Sequence, residues 1–201
     1  MKYDYLLKKC DLCRRHCGVN RLNGELGICT ANDNLIVARA ELHLWEEPPI
    51  SCENGSGTVF FSHCNLKCVF CQNHEISQEY KGAEITINRL SDIFLELQNK
   101  GANNINLVTP THYVPQIIEA IEIAKYKGLK LPILYNTNGY DTLETIKLLD
   151  GYIDVYLPDF KYFDDKYSIK YSKAKDYSSE IIPILKEMVR QTGKPSFDDK
   201  G

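Results

Sequence analysis

The sequence has no large excess of charge of either sign, no long apolar run and no internal repeat. Its 24 Lys and Arg residues against 27 Asp and Glu residues give a net charge of −3, which provides no global basic field for nucleic acid or an anionic membrane. No apolar run approaches the ~20 residues that span a bilayer. The start, "MKYDYLLKKCDLC", has charges and cysteines where a signal peptide has its apolar segment. These absences predict a cytoplasmic protein without a membrane partner and argue against a nucleic-acid partner, although net charge does not exclude a local basic patch.

Cysteine, in contrast, is plentiful: the chain has eight. Most of them fall into two groups, with Cys52 between: Cys10, Cys13, Cys17 and Cys29, then Cys64, Cys68 and Cys71. In an oxidising compartment an even count favours disulfides, whereas closely spaced cysteines in a reducing cytosol more often bind metal. The sequence therefore predicts two neighbouring metal centres, with disulfides as the alternative.

From about residue 57 onward, short apolar runs alternate with helical patterns. The predicted strands cover 58–62, 104–110, 131–137 and 152–160. The predicted helices cover 86–101 with Thr86 as N-cap, a stretch from near Pro115, a stretch from an Asp141/Glu144 capping box through Leu149, and 178–193. This alternation predicts a parallel sheet built from right-handed crossover units.

Four such units make only part of a closed eight-stranded barrel, which needs about 250 residues. The chain ends in a loop-like segment, "PSFDDKG". The predicted fold is thus α/β, a partial TIM-type barrel with parallel strands at 51–201 in a C-terminally truncated fragment; a short open sheet is the alternative. Residues 1–50 are predicted to form a cysteine-rich, metal-binding module that cannot build a core alone, with a strand or hairpin at 34–45.

The loop "HCNLKCVFCQN" at 63–73 follows the first strand, at the carboxyl end where parallel α/β folds place their chemistry. Its three thiolates, from Cys64, Cys68 and Cys71, can each bind a different iron of a four-iron cluster and leave the fourth iron without a protein thiolate. An open coordination position is typical of catalysis rather than of a purely structural site.

Two other interpretations of this loop remain open. A zinc site could be completed by His63, His74 or Cys52. Alternatively, Cys52 could supply the fourth ligand of a closed cluster, which would make the protein an electron carrier resembling a ferredoxin. A third interpretation is an inactive, metal-stapled binding module.

The stretch "GTVFFSHCNLKCVFCQN" resembles the cluster-binding loop of radical S-adenosylmethionine (SAM) enzymes, which carry C-x3-C-x2-C with an aromatic residue before the last cysteine. The N-terminal "CDLCRRHCGVNR", "NINLVTPTHYVPQIIEA" and "YLPDFKY" are similar to segments of the pyruvate formate-lyase-activating-enzyme-like branch, whose members activate glycyl radical enzymes. The likeness covers about residues 7–200, and members of that branch continue beyond the length of this chain.

The resemblance implies an oxidoreductase with a [4Fe-4S] cluster whose open iron binds SAM. An electron from the reduced cluster cleaves the sulfur–C5′ bond, and the 5′-deoxyadenosyl radical takes a hydrogen atom from a substrate, such as a glycine of a partner enzyme. The implied partners are a flavodoxin- or ferredoxin-like reductant and a glycyl radical enzyme. The missing strands would form part of the barrel wall, which leaves open whether this chain is active alone.

The resemblance also implies site residues. The cluster ligands are Cys64, Cys68 and Cys71, and the SAM-binding residues are Phe70 near adenine, Asn73, the "TNG" turn with Asn136 and Asn138, and the Asp159-x-Lys161 element near the ribose and carboxylate. No further catalytic residue is assigned. One departure is "VTPTHY" after the second strand, where many radical SAM enzymes have a Gly-Gly-Glu-like turn; the Thr109 and Thr111 hydroxyls could accept hydrogen bonds there, and His112 could face substrate.

The N-terminal cysteines have the spacing C-x2-C-x3-C-x11-C, which predicts a second metal site. A four-thiolate zinc site would order a segment that lacks a core, and a second iron–sulfur cluster would feed electrons to the catalytic one. The spacing favours zinc slightly and leaves the cluster open.

Overall fold

A computed structural model describes residues 2–194 as a six-stranded sheet with helices packed against it. The strands are β1 (Leu35–His43), β2 (Ser56–Phe61), β3 (Ala83–Ile85), β4 (Ile105–Val108), β5 (Ile133–Thr137) and β6 (Val155–Pro158). The helices are α1 (Tyr5–Lys8), α2 (Pro48–Ser51), α3 (His74–Ser77), α4 (Ile87–Asn99), α5 (Val114–Tyr126), α6 (Leu143–Leu148), α7 (Asp165–Ser172) and α8 (Tyr177–Thr192). Short 3₁₀ helices lie at Arg21–Asn23 and Thr111–Tyr113.

The strand order is β3-β1-β2-β4-β5-β6, and β2, β4, β5 and β6 run parallel. The predicted alternation of parallel strands and helices is confirmed, and the sheet is consistent with a partial barrel. β1 pairs antiparallel with both β2 and β3, so the strand expected at 34–45 extends the main sheet. The division at residue 50 and the truncation stay predictions, and the loop predicted at 195–201 lies outside the described residues.

The two faces of the parallel strands have different roles. Alternate residues such as Val59, Leu107 and Tyr135 are buried in a single apolar core. The helices that cover this face contribute Phe94 and Ile117, among others. The strand residues between these core residues point to the opposite face of the sheet, because successive strand residues point to opposite sides. Phe60 and Val108 on that face line a cavity.

One predicted helix start is wrong. The helix α6 begins at Leu143, and its N-cap is Thr142, whose hydroxyl accepts the N–H of Thr145 at 3.3 Å. The carboxylate of Asp141 is fully buried instead and accepts the hydroxyls of Tyr135 and Thr137 at 2.8 and 2.5 Å. The backbone of Asp141 also forms a bridge with Cys13 of the N-terminal segment. These long-range contacts turn the side chain inward and away from the helix terminus.

Several elements have no counterpart among the predictions, among them β3, α7 and the short helices. The strand β3 pairs with the first three residues of β1, and the helix α7 packs against α8. The α7 sequence, "DKYSIKYS", has no apolar periodicity that would indicate a helix. Within residues 2–194, no helix is both long and apolar enough to cross a membrane.

Candidate active site

The loop that follows β2 opens into a cavity of about 540 Å³ at the carboxyl ends of the parallel strands. All three loop cysteines line it: Cys64, Cys68 and Cys71. Phe60 and Val108, on the face of the sheet opposite the apolar core, line it as well. The cavity therefore occupies the position in which parallel α/β folds place their chemistry.

A hydrogen bond reaches the sulfur of each loop cysteine. The N–H of Leu66 donates to Cys64 Sγ at 3.3 Å, which is bonding within the loop itself. The other two sulfurs bond to buried serine hydroxyls: Ser172 Oγ donates to Cys68 Sγ at 2.7 Å, and Ser77 Oγ lies 3.2 Å from Cys71 Sγ. Hydrogen bonds of this kind stabilise thiolate charge and tune the potential of a bound cluster.

Without a metal, the loop holds at least one protonated thiol. Burial raises the pKa of Cys64 to about 12, and the negative charge of neighbouring cysteines raises it further. The N–H of Leu66 opposes this rise without reversing it. A thiol in such a site gives up its proton when a positively charged metal centre binds. The donor set thus suits metal ligation rather than a free, reactive thiolate.

The three loop cysteines can hold a four-iron cluster, because the cysteines of such a cluster bind different irons and need no common point. Of the alternative zinc ligands, His63 donates to the carbonyl of Cys29 at 3.1 Å, and His74 pairs with Glu79 at the surface.

Cys52, the remaining alternative ligand, lies near the amino end of β2, whereas the cysteine loop follows its carboxyl end. It is exposed at the end of α2, and its thiol donates to the carbonyl of Pro49. Cys64 follows the other end of the strand, and six residues at ~3.3 Å each separate the two ends by about 17 Å. Cys52 does not line the cavity. This placement argues against a cluster closed by Cys52.

The residues predicted to bind SAM are brought to the same cavity. They are Phe70, Asn73, Asn136, Asn138, Asp159 and Lys161, from the loop after β2 and the carboxyl ends of β5 and β6. Their separate roles stay predictions. The ring of Phe70 is about half exposed at the cavity and meets Tyr162 edge to face.

Asn138 is engaged within the protein. Its amide Nδ2 donates to Asn65 Oδ1 at 2.7 Å and lies 3.5 Å from Cys64 Sγ, and its Oδ1 accepts the N–H of Tyr140. The residue therefore connects the turn after β5 to the cysteine loop. Gly139 next to it has a φ of +73°, a left-handed conformation that favours glycine.

The Asp159-x-Lys161 element forms an ion pair at the cavity, with Lys161 Nζ 2.6 Å from Asp159 Oδ2. Tyr177 holds this segment in place from α8. Its hydroxyl lies 2.8 Å from the carbonyl of Asn138 and 2.7 Å from that of Asp159, and it accepts the N–H of Lys161. One buried phenol thus fixes the ends of both β5 and β6.

Several supporting residues have no signature in the sequence. Ser172 and Tyr177 come from helices that pack under the loop, and an apolar cluster that includes Leu66, Cys68 and Tyr162 joins them. Serine and tyrosine occur throughout the chain, so these roles become visible only when α7 packs against the loop and α8 packs against the ends of β5 and β6. The turn after β4 contributes Thr109, whose φ is +58°.

His112 does not line this cavity. It is almost fully buried, and its Nε2–H donates to the carbonyl of Ser62 at 2.7 Å. Burial lowers its pKa to about 3, so the ring is neutral. It lines a second, much smaller void together with all four N-terminal cysteines, Cys10, Cys13, Cys17 and Cys29.

Comparison with known proteins agrees with the cysteine loop and its cavity. A sequence model of the Radical SAM superfamily matches residues 58–196. The chain belongs to the radical SAM superfamily. This membership implies SAM-cleaving radical chemistry with a [4Fe-4S] cluster, and it supports an enzyme.

A curated relative gives a second comparison. An uncharacterized protein of Methanocaldococcus jannaschii, MJ0674, is 34% identical over 180 residues, which are 86% of this chain and 51% of the relative. The chain thus spans about half the length of the curated relative it matches.

Proposed function

We propose that this radical SAM protein is an oxidoreductase of the glycyl-radical-activating type, which takes a hydrogen atom from a glycine of a partner enzyme. The observation that carries its SAM chemistry is the single cavity lined by all three loop cysteines and by all six residues predicted to bind SAM. The glycyl-radical branch rests on the sequence resemblance alone. Its reductant would be a small protein of the flavodoxin or ferredoxin class in the cytoplasm.

When bound, the reduced cluster would supply one electron to SAM for cleavage of the sulfur–C5′ bond, and SAM would supply the carbon-centred group that takes the hydrogen atom. In this proposal, Cys64, Cys68 and Cys71 hold three of the four irons. The four-cysteine site at the N-terminus, whether zinc or iron–sulfur, is not needed for this step.

The residues around the cysteines would orient SAM. Phe70 offers an exposed ring face for adenine, and base–aromatic stacking is worth about 1–3 kcal/mol. Lys161 is a donor for the carboxylate, and Asp159 is an acceptor for ribose hydroxyls. Because these two side chains already pair with each other, binding would exchange their ion pair for bonds to SAM. Residues of β2, β4 and β5 form walls of the cavity in which SAM would bind.

The alternative function is an electron carrier whose cluster is closed by a fourth protein thiolate. The exposed position of Cys52 at the opposite end of β2 does not favour it. An inactive binding module is the remaining alternative, and the same experiment separates all three.

The test uses anaerobically reconstituted, dithionite-reduced chain. We expect an electron paramagnetic resonance signal of a four-iron cluster that changes on addition of SAM, and 5′-deoxyadenosine in the same sample. A Cys68→Ser variant should lose both, whereas Cys52→Ala serves as the matched control and should keep both. A signal that does not respond to SAM, with no 5′-deoxyadenosine, would contradict radical SAM activity of this chain.

The substrate is tested separately. A partner enzyme labelled with α-deuterated glycine should transfer deuterium into 5′-deoxyadenosine. SAM cleavage without this transfer would retain the radical chemistry and reject the glycyl substrate.

A further inference from the structure

A small void lies among the four N-terminal cysteines. Regular structure is sparse in this segment, which has only α1 and the short 3₁₀ helix before β1 in the described residues. Four thiols nevertheless surround one void of about 10 Å³: Cys10, Cys13, Cys17 and Cys29. That volume holds about one water-sized guest.

The lining of the void contains a buried positive charge. Arg21 is 1% exposed, and its guanidinium donates to the carbonyls of Asn32 and His112, the latter at 2.6 Å. Its Nη1 lies 4.0 Å from Cys10 Sγ. No ion pair found within residues 2–194 involves Arg21. A buried charge without a counter-ion is costly, so an anionic group at the void would stabilise the fold.

A second buried residue of the lining, His112, has a ring nitrogen without a hydrogen-bond partner among the described residues. Because Nε2 of His112 donates to the carbonyl of Ser62, its Nδ1 carries a lone pair, and this buried atom has no hydrogen-bond partner in the structure. His112 is 2% exposed and lines the same void. Four cysteines, whose sulfurs are electron-pair donors, line this space together with His112. Such a lining suits a cation as guest.

Charge balance and size together point to a single ion. Four thiolates around one divalent cation carry a net charge of −2, for which Arg21 is a buried counter-ion. A four-iron cluster is far larger than one water-sized guest, whereas Zn²⁺ takes four cysteines in a compact tetrahedron. Gly27 leaves room for this, since a Cβ there would lie 2.8 Å from Cys17 Sγ. The thiols do not yet converge as in a one-ion site, so binding would draw them inward.

We propose that Cys10, Cys13, Cys17 and Cys29 bind one zinc-class ion as a tetrathiolate, with Arg21 as its counter-ion. The site is connected to the segment that leads into the cluster loop. The ring of His63 donates to the carbonyl of Cys29, and His112 holds the carbonyl of Ser62. Both bonds fix the two residues that precede Cys64. The ion therefore also positions the cluster loop, a role that rests on the proposed function, whereas zinc binding does not.

The experiment is metal analysis of the anaerobically purified chain by mass spectrometry. We expect one zinc per chain in addition to iron. Cys17→Ser should lose the zinc, and Cys68→Ser should lose iron and keep the zinc. Because outer contacts tune metal affinity about 10–100-fold, Arg21→Met should release zinc to a chelator at least about tenfold faster. Arg14→Met is the matched control, since the largely buried Arg14 pairs with Glu180 and does not line the void.

Replacement of the zinc by Co²⁺ keeps the test informative if Cys17→Ser does not fold. The unmutated chain should then show the absorption bands of tetrahedral, thiolate-bound Co²⁺. Iron at the N-terminal cysteines, seen as a second cluster that Cys17→Ser removes, would overturn the proposal, as would a disulfide among these cysteines. Loss of zinc in Cys68→Ser as well as in Cys17→Ser would overturn the assignment of zinc to the N-terminal site.

Discussion

The hydrogen bond from Ser172 to Cys68 should tune the potential of the cluster. Ser172 is fully buried, accepts the hydroxyl of Tyr162, and donates to Cys68 Sγ at 2.7 Å. Reduction adds negative charge to the cluster and its sulfurs, which strengthens this bond. Hydrogen bonds to charged groups contribute about 1.5–3 kcal/mol. If about 1 kcal/mol of this appears only on reduction, Ser172→Ala lowers the midpoint potential by about 40 mV, since 59 mV corresponds to about 1.4 kcal/mol for one electron.

The assay is a redox titration of the reconstituted chain, followed by electron paramagnetic resonance. Ser168→Ala is the matched control because Ser168 is equally buried in the same helix, and its hydroxyl donates to the carbonyl of Ala174 at 2.7 Å rather than to a cysteine. Both variants should lose about 1 kcal/mol of unfolding free energy. Only Ser172→Ala should shift the potential. Equal shifts in both variants, or no shift in either, would refute the reasoning.

Three further predictions concern other parts of the chain. Cys52→Ala should leave iron content within error of the parent, because Cys52 is exposed and does not line the cavity; iron loss in that variant would favour the electron carrier. Gly139→Ala should cost about 1–3 kcal/mol more in chemical denaturation than Gly151→Ala, since both glycines have positive φ but only a Cβ at Gly139 would meet Ile181, at 2.6 Å. Burial lowers the pKa of His112 from 6.5 to about 3, so the unfolded state binds a proton first and stability falls by about 1.4 kcal/mol per unit as the pH drops below about 6.5. Denaturation of a His112→Gln variant should lack this part of the pH dependence, and equal slopes for both proteins would contradict it.

Local sequence patterns correctly predicted the helix starts that depend only on residues close together in the sequence. The hydroxyl of Thr86 does accept the N–H of Arg89 at the start of α4, as its N-cap position predicted. The helix α5 begins at Val114 with Pro115 in its first turn. Each of these features depends on residues within one or two turns, so spacing alone identifies them.

Contacts between distant segments decided the rest. The sequence placed Asp141 at a helix start, but its bridge to Cys13 and the hydroxyls of Tyr135 and Thr137 make it a buried acceptor. The sequence likewise left open whether His112 faces substrate or has a structural role, whereas the fold packs it beside the N-terminal cysteines. Neither outcome can be predicted from the local sequence pattern, because each depends on contacts with residues far away in the sequence.

The sequence by itself determined the three-cysteine loop, the alternation of strands and helices, and the superfamily to which the chain belongs. These depend on spacing along the chain, which any reader of the sequence can measure. Only the tertiary structure decided which groups donate hydrogen bonds to the sulfurs, that Cys52 lies at the far end of β2, and that Arg21 is buried beside the four N-terminal cysteines. The physical reason is that hydrogen bonds, burial and charge compensation depend on distances in space, and these are set only when separate elements pack together.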